Sequence, residues 1–273
     1  MKLDGNKQDQ LTIVKIGGNV IDDEPTLNEF LTQFSKIEGQ KILIHGGGKL
    51  ATQLAERMGI PQRLIEGRRV TDAETLKIAV MVYGGWINKK LVSTLNTLGT
   101  RAIGVTGADG QLVESKKRPP EPIDYGFVGD VVRVNTTLLE DWLNAGLTPV
   151  IAPITSDASG QLLNTNADTM ANAIATACAR AFAETVSVTL VYSFEKKGVL
   201  LDVTDNSTLV SELTPLSYLA MKEKKQVFAG MLPKLDNAFL SIENGVENVI
   251  LGQAKELNLL LCGKSGTKIH GNL

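Results

Sequence analysis

Leu11-Thr12-Ile13-Val14-Lys15-Ile16-Gly17-Gly18 is a short run rich in β-branched residues and stopped by two glycines, which reads as a strand ending in a turn. Lys41-Ile42-Leu43-Ile44-His45-Gly46-Gly47-Gly48 repeats the pattern. Between the two, Leu27, Phe30, Leu31, Phe34 and Ile37 recur at helical spacing, with Asp22 or Asp23 as cap and Pro25 in the first turn. After the second, Leu50, Leu54 and Met58 keep a helical register. Strand, glycines and helix, twice in succession, is the signature of a parallel sheet joined by helical crossovers.

The same alternation continues along the chain. Thr71-Asp72-Ala73-Glu74 has the form of a capping box, opening a helix through Leu76, Ala79, Val80, Tyr83, Ile87, Leu91, Leu95 and Leu98, with Gly84-Gly85 inside it for close packing. Ala102 to Val105 reads as a third strand. Gln111 to Val134 mixes short apolar runs with Lys116-Lys117-Arg118-Pro119-Pro120, a β-excursion with an exposed loop. Asn135 caps a helix that Gly146 ends. Strands follow at Pro149 to Ile154, Val186 to Val191 and Val249 to Leu251, with helices through Met170, Ile174 and Ala177, after Thr214-Pro215, and over Pro233 to Asn244. The expected fold class is α/β, a mainly parallel sheet with helices on both faces. A boundary between two lobes is expected near Asp168 to Glu184.

Composition narrows the function classes. A chain of 273 residues allows one large or two small domains, and 43% hydrophobic with 21% charged residues is ordinary globular usage. Lys plus Arg number 28 against 30 Asp plus Glu, a net charge of -2, which argues against a general nucleic-acid binder. Two cysteines without a CxxC fit a reducing cytoplasm and give no thiolate zinc site. Trp142 to Ser156 is interrupted by Asn144, Gly146, Pro149 and Pro153, so no membrane segment is expected. The N-terminal MKLDGNKQDQ lacks the apolar core of a signal peptide, so the chain is expected to stay where it is made.

In open α/β sheets ligands bind beyond the carboxyl ends of the strands, and both glycine runs lie at such ends. Glycine admits an anion close to backbone N–H groups, and the following helix N-terminus favours it. Neither run matches the dinucleotide or Walker fingerprint. Lys15, two residues before Gly17, would aim its ammonium at whatever the turn holds. Lys234 opens a late helix after Gly230-Met231-Leu232-Pro233 and alone does not stand out. His45 reads as a packed or backbone-bonded histidine. His270 lies in the tail, so serine–histidine catalysis or a histidine metal centre has little support. Arg68-Arg69 is a surface pair or a fork donor for a carboxylate. Asn164, Asn166 and Asp168 alternate toward a helix start, where capping accounts for one of them. Lys116, Lys117 and Arg118 read as a solvated loop.

Lys15-Ile16-Gly17-Gly18, His45-Gly46-Gly47-Gly48, Gly67-Arg68-Arg69-Val70-Thr71, Gly126-Phe127-Val128-Gly129-Asp130, Leu163-Asn164-Thr165-Asn166-Ala167-Asp168 and Gly230-Met231-Leu232-Pro233-Lys234 occur in this order. The set resembles the amino-acid kinase family, and within it the branch acting on N-acylated glutamate, from about Leu11 to the Gly266-Thr267-Lys268-Ile269 tail. The resemblance implies a single three-layer αβα sandwich domain over residues 1–273. Its N-lobe, to about residue 175, would hold the acylglutamate and the dimer contact, and its C-lobe, from about 176, the nucleotide. It implies direct in-line transfer of the ATP γ-phosphoryl group to the side-chain carboxylate of N-acetyl-L-glutamate in arginine biosynthesis. Lys15 and Lys234 would stabilise the transition state, Asp168 would hold both lysines, and Gly17 and Gly18 would bond the phosphoryl. Gly47, Gly48, Arg69 and Asn164 would hold the acylglutamate. Mg2+ would ride on the nucleotide phosphates without a side-chain metal site. Tyr192, Gly198, Val227 and Phe228 would border the nucleotide, although Tyr192 to Val199 is longer than the family's usual stretch and lacks its Asp. The alternatives are an N-succinyl-L-glutamate kinase or a non-catalytic nucleotide or amino-acid sensor of the same fold. A homodimer through Leu76 to Leu98 is expected. Met1 to Gln10, with Met1 and Leu3 its apolar residues, offers no amphipathic face, so arginine feedback is not expected.

Overall fold

The computed structural model describes residues 9–65, 68–224, 226–227 and 231–271. Residues 1–8 of the Met1 to Gln10 segment, Gly67, Phe228 and Gly230 lie outside them. Eight strands, β1 (Asp9–Ile16), β2 (Gln40–His45), β3 (Ala102–Thr106), β4 (Thr148–Ala152), β5 (Val186–Phe194), β6 (Glu212–Leu213), β7 (Asn248–Gln253) and β8 (Thr267–Ile269), form one sheet ordered β6-β8-β7-β5-β1-β2-β4-β3. The pairings are parallel except β7 with β8. β1 lies between β5 and β2, and its last six residues are all buried, which is why its sequence is a nearly unbroken apolar run.

The helices are α1 (Gly18–Asp22), α2 (Glu24–Ser35), α3 (Gly48–Arg57), α4 (Ala73–Ala79), α5 (Asn88–Thr97), α6 (Thr136–Asn144), α7 (Ala167–Ala181), α8 (Pro215–Glu223), α9 (Leu232–Glu243) and α10 (Leu257–Leu261). They split by face, making the expected three layers. Leu11 and Ile13 of β1 belong to the core beneath α6, α7, α8 and α9, while Val14 and Ile16 belong to the core beneath α1 to α5 and α10. Side chains alternate along a strand, so Lys15 shares the face of Leu11 and Ile13. A second small sheet rises beside this frame. Val113–Lys117, Val128–Val134, Ile154–Ser156 and Leu162–Thr165 close into a four-stranded barrel, the form the expected β-excursion takes.

Local details differ from the sequence reading. In α3 the buried line is Ala51 and Ala55, one residue on from Leu50 and Leu54, and Met58 is 55% exposed. Small side chains let α3 lie close to its neighbours, so alanines rather than leucines face inward. Asp72, not Thr71, caps α4, its carboxylate accepting the Thr75 N–H at 2.7 Å. Gly84-Gly85 sits in a π-helical stretch, Val80–Ile87, that joins α4 to α5, and a Cβ on Gly84 would lie 3.2 Å from the Thr106 methyl of β3. Among the described residues no helix is long and apolar enough to cross a membrane.

Candidate active site

Lys15 is the charged residue in the buried run of β1, and its face is the one that α7 and α9 cover. Asp168 stands in the first turn of α7. The cap of α7 is Asn166, whose Oδ1 accepts the N–H groups of Asp168 and Thr169 at 2.9 and 3.0 Å, so capping accounts for that member of the alternating trio. Lys234 stands in the first turn of α9, where the helix dipole disfavours a cation. Asp168 compensates. Lys234 Nζ donates to its Oδ2 at 2.5 Å, and Lys15 Nζ forms an ion pair with its Oδ1 at 2.6 Å. Burial alone would raise the Asp168 pKa, but Lys15 and Lys234 together hold it well below the usual carboxylate range. Burial pulls Lys15 below the ordinary lysine range, opposed by Asp168 and reinforced by Lys234. One carboxylate against two ammonium groups leaves a surplus positive charge, which an anion would balance.

Beside this triad the two glycine junctions meet. The Gly17 N–H donates to Ser193 O at 3.0 Å, so Gly17 extends the strand pairing and its amide is not offered to a ligand. Gly18 begins α1, and a Cβ built on it would lie 3.7 Å from Gly48 N and 3.9 Å from Gly47 N. Among the described residues nothing accepts the N–H of Gly47 or of Gly48, the first residue of α3. Unpaired amides at a helix start form an anion cradle. Glycine is required at position 47, where φ is 152° and a Cβ would run into the Ile87 side chain.

A cavity of about 220 Å³ opens from the cradle, lined by Gly18, Gly46, Gly47, Gly48, Arg69, Tyr83 and Asn164, with Arg68 and Arg118. Arg69 is buried. Its Nη2 donates to Gly48 O at 2.7 Å and Thr52 Oγ1 at 2.8 Å, and its Nη1 to Gln62 Oε1. The Tyr83 hydroxyl lies against the same guanidinium, and the donors of its five that stay unengaged are left for a ligand. Asn164 Nδ2 donates to Thr71 Oγ1 at 3.0 Å, and that hydroxyl donates to Arg69 O at 3.0 Å. Thr71 thus ties the two lining residues together, which is why it is not free to cap α4. Arg118 corrects the solvated-loop reading. It pairs with Asp130 at 2.5 Å, lies 5.4 Å from the Tyr125 ring and faces the cavity, because barrel closure folds its segment inward, whereas Lys116 and Lys117 are exposed. The sequence reading missed Tyr83 and the pocket position of Arg118. The only signal for Arg118 was an arginine just before paired prolines.

A second cavity of about 230 Å³ is lined by Phe194, Gly198, Val199, Leu200, Val203, Val227, Met231 and Lys196, and by Lys234 of the triad. Gly198 and Val227 are thus brought together in its wall. Tyr192 does not line it: the ring is 1% exposed, pairs in register with Lys15, and its hydroxyl reaches Asp168 O at 3.4 Å. Strand alternation turns it under α7, so it backs the triad.

Residues 10–253 match the amino acid kinase family. The chain is 48% identical to the acetylglutamate kinase of Cytophaga hutchinsonii over 96% of this chain and 99% of that protein. It is 47% identical to the acetylglutamate kinase of Parabacteroides distasonis over 92% of this chain and 96% of that protein. Among solved structures, carbamate kinase from Giardia superposes with a TM-score of 0.68 at 10% identity, covering 97% of this chain and 99% of that one, a likeness of fold.

Proposed function

The chain belongs to the amino acid kinase family, and from that membership we propose that it transfers the γ-phosphoryl group of ATP to the side-chain carboxylate of N-acetyl-L-glutamate, a step of arginine biosynthesis. The observation that carries the reading is the Lys15–Asp168–Lys234 triad, flanked by one cavity walled by residues 18–167 and another walled by residues 194–234. In phosphoryl transfer the protein mainly positions the partners and neutralises charge. Lys15 and Lys234 offset the charge on the migrating phosphoryl oxygens, and Asp168 keeps the two ammonium groups from repelling each other apart. The amides of Gly18, Gly47 and Gly48 receive the phosphoryl group and the carboxylate that attacks it. Gly17 contributes strand register only. That carboxylate is ionised at neutral pH, so no general base is required, and the attack proceeds in line without a phosphoenzyme.

Arg69 and Asn164 hold the carboxylate of the acylglutamate that does not react. Gly198, Val227 and the apolar wall around them receive the nucleoside, and Phe228 lies outside the described residues. Both Asp168 oxygens face ammonium groups, and among the described residues no cluster of three or more His, Cys, Asp or Glu is placed to hold a metal ion. Mg2+ arrives on the nucleotide phosphates. The two binding halves divide near residue 175, within α7. A homodimer forms across the face of the α4–α5 rod that leaves Trp86 67% and Met81 49% exposed. The enzyme works in the cytoplasm. The relatives' shared name does not favour N-succinyl-L-glutamate as substrate, and the intact triad does not favour a non-catalytic sensor. Side-by-side kinetics test the substrate: kcat/KM is expected to be higher for the acetylated glutamate, and a higher value for the succinylated one would reject the assignment.

A further inference from the structure

His45 ends β2 immediately before the glycine cradle, is fully buried and takes no part in the chemistry above. Its Nδ1 lies 2.9 Å from Gly46 O, and its Nε2 lies 3.2 Å from Nδ2 of Asn88, the first residue of α5. Donor and acceptor chemistry alone settles the tautomer. Asn88 Nδ2 also faces the carbonyls of Val150 at 2.9 Å and Val105 at 3.4 Å, which only accept. Asn88 Oδ1 faces the Lys89 ammonium at 3.1 Å, which only donates. None of these three neighbours suits the flipped amide, so Nδ2 faces the ring and His45 Nε2, opposite a donor group, is the bare nitrogen. The single ring proton then sits on Nδ1 and donates to Gly46 O. Burial pushes the His45 pKa down to about 4, with the Gly46 bond opposing and the Lys89 charge reinforcing, so the ring stays neutral.

The Gly46–Gly47 peptide is planar and trans, so the Gly46 carbonyl and the Gly47 N–H point in opposite directions. A carbonyl tied back to the ring fixes that N–H in the opposite direction, and Gly47 N stands 3.9 Å from the Cβ position of Gly18. Among the described residues no other donor reaches the Gly46 carbonyl. Glycines on both sides supply no side chain to hold the peptide.

We propose that His45 is a positioning residue: its Nδ1–H, fixed by Asn88, holds the Gly46–Gly47 peptide in the orientation that presents the Gly47 N–H to the migrating phosphoryl group. The role rests on the phosphoryl-transfer reading, whereas the tautomer does not. Long-range proton–nitrogen correlation spectra of histidine-labelled wild-type protein are expected to show a protonated Nδ1 and a bare Nε2 for His45, unchanged from ~pH 5.5 to ~pH 8. A proton on Nε2, or an ordinary histidine titration, would overturn the proposal even where a variant fails to fold. A wild-type protein that released no ADP would instead sink the kinase reading and the role with it, while the tautomer result would stand. Two variants then test the role. The amide of His45→Asn reaches the Nδ1 position and should keep kcat within about tenfold of wild type. The amide of His45→Gln reaches only the Nε2 position and should lower kcat about a hundredfold, the scale of one preorganised donor, with the KM for ATP unmoved. Equal kcat values for the two, or a loss appearing in the ATP KM instead, would show that the ring merely packs.

Discussion

Asp168→Asn removes the one negative charge between two ammonium groups while keeping the shape of the side chain. Lys15 and Asp168 are only 8% and 13% exposed, so little solvent screens what remains. Breaking a buried ion pair from one side costs about 3–5 kcal/mol. Lys234 is 22% exposed and lines an open cavity, so the lower end, about 3 kcal/mol, is expected. With an m-value of about 3 kcal/mol/M, the urea midpoint at neutral pH should fall by about 1 M. The sign of the pH dependence follows from the depressed Asp168 pKa. The carboxylate's contribution is fully present above the ordinary value of 3.8 and is lost as pH falls through the lower folded-state value, so the gap between variant and wild type should close in acid. Released from Asp168, the lysines also lose their placement, and kcat should drop about a hundredfold or more. Urea titrations across pH, read by circular dichroism beside an ADP-release assay, measure both. A variant with the wild-type midpoint and kcat, or a stability gap that widens in acid, would refute the argument.

Lys15→Ala and Lys234→Ala should each lower kcat by about a hundredfold or more with smaller changes in substrate KM, and steady-state kinetics on either variant check this. Arg69→Ala should raise the KM for the acylglutamate by about tenfold or more, the scale of a charge-assisted hydrogen bond, and leave that for ATP nearly alone; a large rise in the ATP KM would place Arg69 in the wrong half of the site. Trp86→Glu should convert a dimer to monomers in sedimentation velocity, since the indole is 67% exposed in the single chain; an unchanged sedimentation coefficient would put the contact elsewhere.

What the sequence disclosed was mostly local. A β-branched run stopped by glycine reads as a strand and its carboxyl end, and both junctions lie where the pattern puts them. Alternation along β1 groups Lys15 with Leu11 and Ile13, and the fold then lays α7 over that face. What stayed hidden depends on partners distant in sequence. Gly17 and Gly18 look equivalent until Ser193 of β5 takes one amide and leaves the other. Tyr192 looks like a pocket residue until its register with Lys15 turns it under α7. Thr71 and Asp72 are both good caps, and the choice falls to Asp72 because Thr71 is engaged by Asn164. Arg118 reaches the cavity only because four strands separated in sequence close into a barrel.

The account stands most directly on the fate of the γ-phosphoryl group. Incubating the protein with ATP, Mg2+ and N-acetyl-L-glutamate in the presence of hydroxylamine traps an acyl phosphate as its hydroxamate, while a coupled assay counts ADP. The account predicts ADP and hydroxamate in equal amounts, both abolished when the acylglutamate is left out. ADP released without hydroxamate, or released equally without the acylglutamate, would contradict transfer to a carboxylate.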